Sequence, residues 1–267
     1  MLPRLATIPL SHFCERARWA LDLAGLDYAE THHLQGFSSA VSRVFSGHRT
    51  LPLLTVGPQL LTDSSAIVRW ADEQRPGALY PDDPAVRAEI EALEVSFTGT
   101  LAHEGRRIVY EWMCRSVEVW LPFNAGRAPA WQAAALWAGR SRIPGVLTRS
   151  FDLRSVSLSR ARLALRDVFD TVAARLADGR RFLAGDTFSA ADLAFAALSA
   201  PLLLPEHYGA PVPRPADLPP AVGEQIRLWR AHPAGVFALS LYEQRPAVRA
   251  RFERDLRGLR LRENAPG

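Results

Sequence analysis

The sequence predicts a mixed α/β domain over residues 1–77 followed by an all-helical domain over residues 85–267. Three observations carry this. Short apolar runs alternate with helical-period segments as far as Gln74. Breakers then cluster at Pro76-Gly77 and Pro81-Asp82-Asp83-Pro84, which reads as a linker. Beyond them apolar residues recur every three or four positions, the period of helices packed on one face.

The elements follow in order. Leu5 to Ile8 is a short buried strand. Phe13, Ala17, Ala20, Leu21 and Ala24 recur at helical spacing, and Gly25 closes that helix. Tyr28 to His33 is a second strand, and Ser38 to Phe45 a short irregular helix. Pro52–Val56 and Gln59–Thr62 flank Gly57-Pro58, the pattern of a hairpin. Ser64 to Gln74 is a third helix. The order β-α-β-α-β-β-α is that of a thioredoxin-like domain.

In the second domain, Ala85 to about Trp120 reads as one long helix with Ile90, Leu93, Phe97 and Leu101 inside. Residues 121–150 read as a short helix around Ala133–Leu136 between loops. Leu158, Ala161, Leu165, Phe169, Val172 and Leu176 form a clear stripe from Ser155 to Ala177. Ser189 and Asp192 have the spacing of a capping box, so Asp192 is read as structural. Pro205 to Pro220 holds six prolines and is expected to be a loop. Val248, Phe252, Leu256 and Leu259 predict a last amphipathic helix, with the arginines from Arg245 to Arg262 on its solvated face.

Composition narrows the function. At 48% hydrophobic and 22% charged, the 267 residues are those of an ordinary soluble protein. No apolar stretch is long enough to span a bilayer, and no secretory signal is evident. Cys14 and Cys114 make no disulfide framework, so a reducing, cytoplasmic setting is expected. The net charge of +4 argues against a nucleic-acid partner. Every one of the 32 basic residues is arginine. A Schiff-base lysine, a phosphate-loop lysine and a Ser-x-x-Lys dyad are therefore excluded.

Three motifs carry chemistry. Ser11-His12-Phe13-Cys14 follows the first strand directly, where a helix N-terminus offers free N–H groups to an anion. Ser11-x-x-Cys14 is a C-x-x-C redox pattern with its first cysteine replaced by serine. Next, Pro52 interrupts the apolar run Leu51-Pro52-Leu53-Leu54. A cis bond there leaves the backbone of Leu51 free to pair with a peptide-like ligand. Last, Asp63-Ser64 begins a helix and places an acid and a hydroxyl where an ammonium and a carboxylate can be received. Each has a plain structural reading: Ser11 and Asp63-Ser64 as helix caps, Pro52 in an ordinary turn, Cys14 as a small buried hydrophobe. Arg16 and Arg18 read either as anion-binding or as solvated, and His12 as a base or simply exposed.

In this order and spacing the three motifs resemble the glutathione transferase family, which joins a thioredoxin-like domain to an all-helical one. The resemblance implies glutathione as co-substrate, a small electrophile as its partner, no metal, and a homodimer. It implies that the Ser11 hydroxyl stabilises the glutathione thiolate. Leu51, oriented by Pro52, would pair with the cysteinyl backbone, and Asp63 and Ser64 would hold the γ-glutamyl end. Thr50 stands where the family often has lysine or glutamine, which leaves Arg49 or His48 for the glycine carboxylate. Two alternatives stay open: a thiol transferase or peroxidase acting through Cys14, and a non-catalytic binding or scaffold protein on the same fold. Other chemistries lack their motifs. His103-Glu104-Gly105-Arg106-Arg107 has no second histidine at zinc-protease spacing, and His32-His33 has no partner cysteines.

Overall fold

The computed structural model describes residues 2–39, 42–43, 47, 50–125 and 127–253. Five strands, β1 (Arg4–Thr7), β2 (Tyr28–His32), β3 (Leu53–Val56), β4 (Gln59–Leu61) and β5 (Ala250–Glu253), form one mixed sheet in the order β4-β3-β1-β2-β5. β1 runs parallel to β2, with Leu5 opposite Glu30, and antiparallel to β3, with Leu5 opposite Leu54. The opening helix, α1 (His12–Leu23), packs on the Ser64–Gln74 helix. Ala20, Leu21, Ile67 and Val68 meet Leu5 and Leu54 in the core between helices and sheet. Of the short helix expected over residues 38–45, Ser38-Ser39 and Ser42-Arg43 are helical and the rest lies outside the described residues.

The C-terminal segment departs from expectation. Ala250–Glu253 is not helical but a strand, parallel to β2 with Tyr28 opposite Ala250 and Thr31 opposite Glu253. Leu256 and Leu259 lie outside the described residues. Long-range partners override the helical period here. The Phe252 ring stands edge-on to His32 at 5.1 Å, with the Arg127 guanidinium 3.8 Å from its centroid. Glu253 pairs with Arg4, and the Arg249 amide donates to Asp22 at 2.9 Å. Arg249 and Arg251 pair with Asp27 on the surface, whereas Arg245 is buried rather than solvated. β2 is buried along its whole length because β1 and β5 flank it. A chain ending at Pro246 uncovers that edge. It is expected to melt a few degrees lower, through the loss of about 1 kcal/mol from the half-buried Phe252, and to scatter light more with rising concentration. An unchanged melting curve and no added scattering would show the strand to be ornamental.

The remainder is helical. The single helix expected from Ala85 to Trp120 is three: Pro84–Ser96, Ala102–Arg115 and Val117–Ala125, the first two joined by a π-helical turn at Phe97–Leu101. Ser116 breaks the run. Its hydroxyl bonds back to the Trp112 carbonyl at 2.9 Å and accepts from Trp120 Nε1 at 3.1 Å. Residues 121–150 are more helical than expected, with Ala130–Ala138, a 3₁₀ turn and Ile143–Phe151. Ala190–Leu203 is the central helix, buried nearly all round. Asp192 caps it from inside, accepting from the amides of Ser189 and Leu183 at 2.9 and 2.8 Å. The 205–220 segment is a loop with one 3₁₀ turn, and the Pro220–Ala231 and Pro233–Glu243 helices follow it. Among the described residues no helix is long and apolar enough to cross a membrane.

Buried ion pairs join the sheet region to the helices. Arg16 and Arg18 are neither solvated nor free for a ligand; both are fully buried. Arg16 pairs with Glu94, which also accepts from the Tyr80 hydroxyl at 2.7 Å. Glu15 accepts from Arg245 Nε at 3.0 Å and from the Gly209 amide at 3.0 and 3.1 Å. A Cβ on Gly209 would fall 2.5 Å from Glu15 Oε2, so only glycine fits there.

Candidate active site

A cavity of about 490 Å³ lies between the β1–α1 turn and the helices. One wall holds Ile8, Ser11, His12, Thr50 and Leu51; the facing wall holds Arg106, Tyr110, Met113, Trp120 and Phe151. A second, apolar cavity of about 250 Å³ adjoins it through Met113, Trp120, Val146 and Leu147 and adds Leu121, Leu136 and Ile143. The helices over residues 130–151 therefore wall the apolar end of the site.

Ser11 is the N-cap of α1, with extended backbone at φ −78°, ψ 121°. Its Oγ accepts from the Cys14 amide at 3.5 Å, at the long limit of a hydrogen bond. The hydroxyl also lies against the Cys14 sulfur, whose thiol it helps to hold down, and it lines the cavity. The Leu51-Pro52 bond is cis, and Leu51 reaches the cavity wall beside Thr50. The turn thus brings Ser11 and Leu51 to one cavity.

The other expected residues fall elsewhere. Asp63 is exposed and caps the Ser64–Gln74 helix, accepting from the Ala66 amide at 2.9 Å. Ser64 is buried at the start of that helix, and neither residue lines the cavity. His48 and Arg49 lie outside the described residues. Cys14 is fully buried and does not line the cavity. Burial pushes its thiol up, more than Arg18, the Ile8 amide, which donates to its sulfur at 3.3 Å, and the Ser11 hydroxyl pull it down. A raised, enclosed thiol is a poor nucleophile, so the expectation of Cys14 as an alternative nucleophile is corrected. His12 is also not exposed: it lies buried in the cavity wall, its Nε2 without a partner. Burial first, then Arg106 and His103, holds its imidazole down to about 3. It is therefore neutral at physiological pH and too weak a base for proton abstraction there. Among the described residues no group of three metal-ligating side chains is placed to hold an ion.

Two site residues escaped sequence reasoning. Arg106 and Tyr110 stand four apart on the Ala102–Arg115 helix, with Val109 and Met113 on the same face. A cation inside an otherwise apolar stripe was the signal available. Tyr110 accepts from Gln35 Nε2 at 3.0 Å.

The buried imidazoles set the acid stability. Burial, with His32 beside it, lowers His33 to about 4. In each case the unfolded ring takes up a proton near pH 6.5 and the folded ring does not. Stability is then full above pH 6.5 and falls as pH drops toward 3–4. At pH 5 each ring costs about 2 kcal/mol. Asp22, which burial lifts to about 6 despite Arg245, offsets about 1 kcal/mol at that pH. Urea unfolding is expected to give a stability lower by about 3 kcal/mol at pH 5 than at pH 7.5, with His12→Leu removing the larger part of one ring's share. Equal stabilities at the two values would contradict this.

Residues 5–79 match the family model for the glutathione S-transferase N-terminal domain. No curated protein matches the sequence. Solved structures do. A glutathione transferase from Phanerochaete chrysosporium superposes with a TM-score of 0.62 at 16% identity, over 93% of this chain and 98% of that one. A glutathione S-transferase from Ceriporiopsis subvermispora, in complex with glutathione, gives 0.59 at 18% identity over 93% and 99%. The theta-class enzyme of Xanthomonas axonopodis pv. citri, with glutathione bound, gives 0.55 at 20% over 91% and 96%. Residues 5–79 thus match the glutathione S-transferase N-terminal domain, and the chain shares the fold of these solved glutathione transferases over nine-tenths of its length.

Proposed function

We propose that this protein is a glutathione-dependent transferase acting on small hydrophobic electrophiles. The observation that carries the reading is Ser11, an N-cap hydroxyl at the start of α1, on the wall of a cavity shared with Leu51. Residues 1–77 form the glutathione-binding unit, and the helices from residue 85 supply the electrophile's pocket. Leu51 pairs with the cysteinyl backbone. Asp63 and Ser64 hold the γ-glutamyl end at the start of their helix, where a carboxylate is favoured. Either Arg49 or His48 takes the glycine carboxylate.

The Ser11 hydroxyl and the N-terminus of α1 favour the glutathione thiolate over the thiol. The thiol proton leaves to solvent. The thiolate then attacks an electrophilic carbon; the C–S bond forms as the leaving group departs with its electron pair. The protein acts as a cytoplasmic homodimer in this account, in keeping with its two unpaired cysteines.

Titration calorimetry with glutathione, followed by conjugation of 1-chloro-2,4-dinitrobenzene, tests the reading. Binding at or below millimolar concentration with chloride release is expected. Binding without turnover would make the protein a glutathione-binding scaffold, and no binding would overturn the proposal.

A further inference from the structure

We propose that Arg106 forms an anion subsite in the main cavity and selects electrophiles that join an apolar body to a carboxylate. This rests on the transferase reading and names its substrate class.

Among the described residues the charge of Arg106 has no carboxylate partner. It lies in the cavity wall, half-buried, with its Nε enclosed and without a hydrogen bond. Among the described residues no carboxylate pairs with it; the Phe151 ring lies 5.1 Å from the guanidinium carbon, and the Arg106 charge also acts on His12 and Tyr110. Other arginines of this chain behave differently. Arg107, the next residue, pairs with Glu104, and the buried Arg16, Arg18 and Arg245 each meet a carboxylate. Among the described residues that line the cavity none is acidic. A half-buried cation with no counter-charge loses hydration without repayment, and an anion entering the cavity would restore the balance.

The surroundings suit a carboxylate. Tyr110, one helical turn on, accepts from Gln35, so its own proton is left to donate beside Arg106. His12, held neutral, adds no competing charge. The planar guanidinium fork matches a carboxylate in two parallel hydrogen bonds. Around this polar point stand Val109, Met113, Val146, Leu147 and Leu204. The volume, about 490 Å³, admits a small ligand whose ring occupies the apolar part. A neutral electrophile fills the same space but leaves the guanidinium unanswered. Arg106 is therefore a specificity residue; Ser11 remains the group at the reacting sulfur.

Binding without glutathione tests this independently of turnover. Titration calorimetry would compare 3-nitrobenzoate with its methyl ester. The unaltered protein is expected to bind the acid at least tenfold tighter. Arg106→Met, which keeps an apolar stem against Phe151, should bring the two within twofold, and Arg106→Lys should keep part of the preference. Affinity for the ester and for glutathione should stay within twofold in both variants. No preference in the unaltered protein would overturn the proposal, and that measurement needs no variant. A preference that survives Arg106→Met would also overturn it. So would a loss confined to glutathione, which would assign Arg106 to the tripeptide's own carboxylate. Absence of conjugation would sink the transferase reading alone and leave the subsite standing.

Discussion

Ser11→Ala should lower kcat/KM for glutathione conjugation at pH 6.5 by about 10²-fold. A free thiol titrates near 8.5, so only about one per cent is thiolate at that pH. Lowering the value by about two units stabilises the thiolate by about 2.7 kcal/mol, which the Ser11 hydroxyl and the end of α1 supply together. Removing the hydroxyl should shift the pH profile of kcat/KM upward toward the free thiol, so that the deficit shrinks above pH 8.5. A purely structural role would lower activity at every pH alike. The structural cost is small: an N-cap is worth about 1 kcal/mol, and the 3.5 Å bond from the Cys14 amide puts Ser11 at the weak end. Ser11→Thr keeps the donor and should retain most of the rate. Ser11→Asp keeps the cap but sets a negative charge beside the sulfur, and should fall below Ser11→Ala. A Ser11→Ala enzyme within twofold of the unaltered protein, with an unmoved profile, would remove Ser11 from the chemistry.

Features encoded in short stretches were legible beforehand. Ser11 follows a strand and precedes a helical stripe, Pro52 interrupts an apolar run, and Gly57-Pro58 separates two strands; each is a statement about neighbouring residues. Features that depend on distant partners were not. Arg16 reads as a surface arginine because Glu94, its counter-ion, lies 78 positions away. Arg245 looks like part of a solvated face because Glu15 is 230 positions away. β5 carries the spacing of an amphipathic helix, and only the open edge of β2 makes it a strand. Ser116 gave no warning that its hydroxyl would back-bond and divide a helix. The same limit hid the anion subsite. Among the described residues Arg106 is notable for lacking a carboxylate partner, and that lack is visible only once the described carboxylates have been placed.

The same buried charges make Arg18→Met the most damaging substitution outside the cavity. Arg18 is fully buried in α1, and its Nε donates to Glu30 Oε1 at 2.7 Å. Its two remaining nitrogens donate to the carbonyls of Pro9 and Ile8, each at 3.3 Å, and one lies 3.6 Å from Glu15. One guanidinium thus neutralises β2 and pins the turn that presents Ser11. Methionine leaves Glu30 buried with only the Thr7 hydroxyl, at 2.5 Å, and His32, at 3.3 Å, to answer its charge. Breaking such a pair from one side costs about 3–5 kcal/mol, or a melting temperature lower by on the order of 10 °C. The acid limb gives an independent measure of the same pair. Burial alone would raise the Glu30 carboxyl, but Arg18, then His32 and Thr7, outweigh it and bring the group to about 2. The folded value lies below the unfolded one, so the stabilisation is complete above pH 4.5 and disappears as pH falls toward 2. That interval corresponds to about 3 kcal/mol, in line with the substitution. In Arg18→Met this part of the acid dependence should vanish, because Glu30 would then fold protonated. Arg18→Met with Glu30→Leu should recover part of the loss, since no charge is then left unpaired. If Arg18→Met instead unfolds within 1 kcal/mol of the unaltered chain, the pair is not what holds the turn, and Ser11 must owe its position to the packing of Trp19 and Leu21 alone.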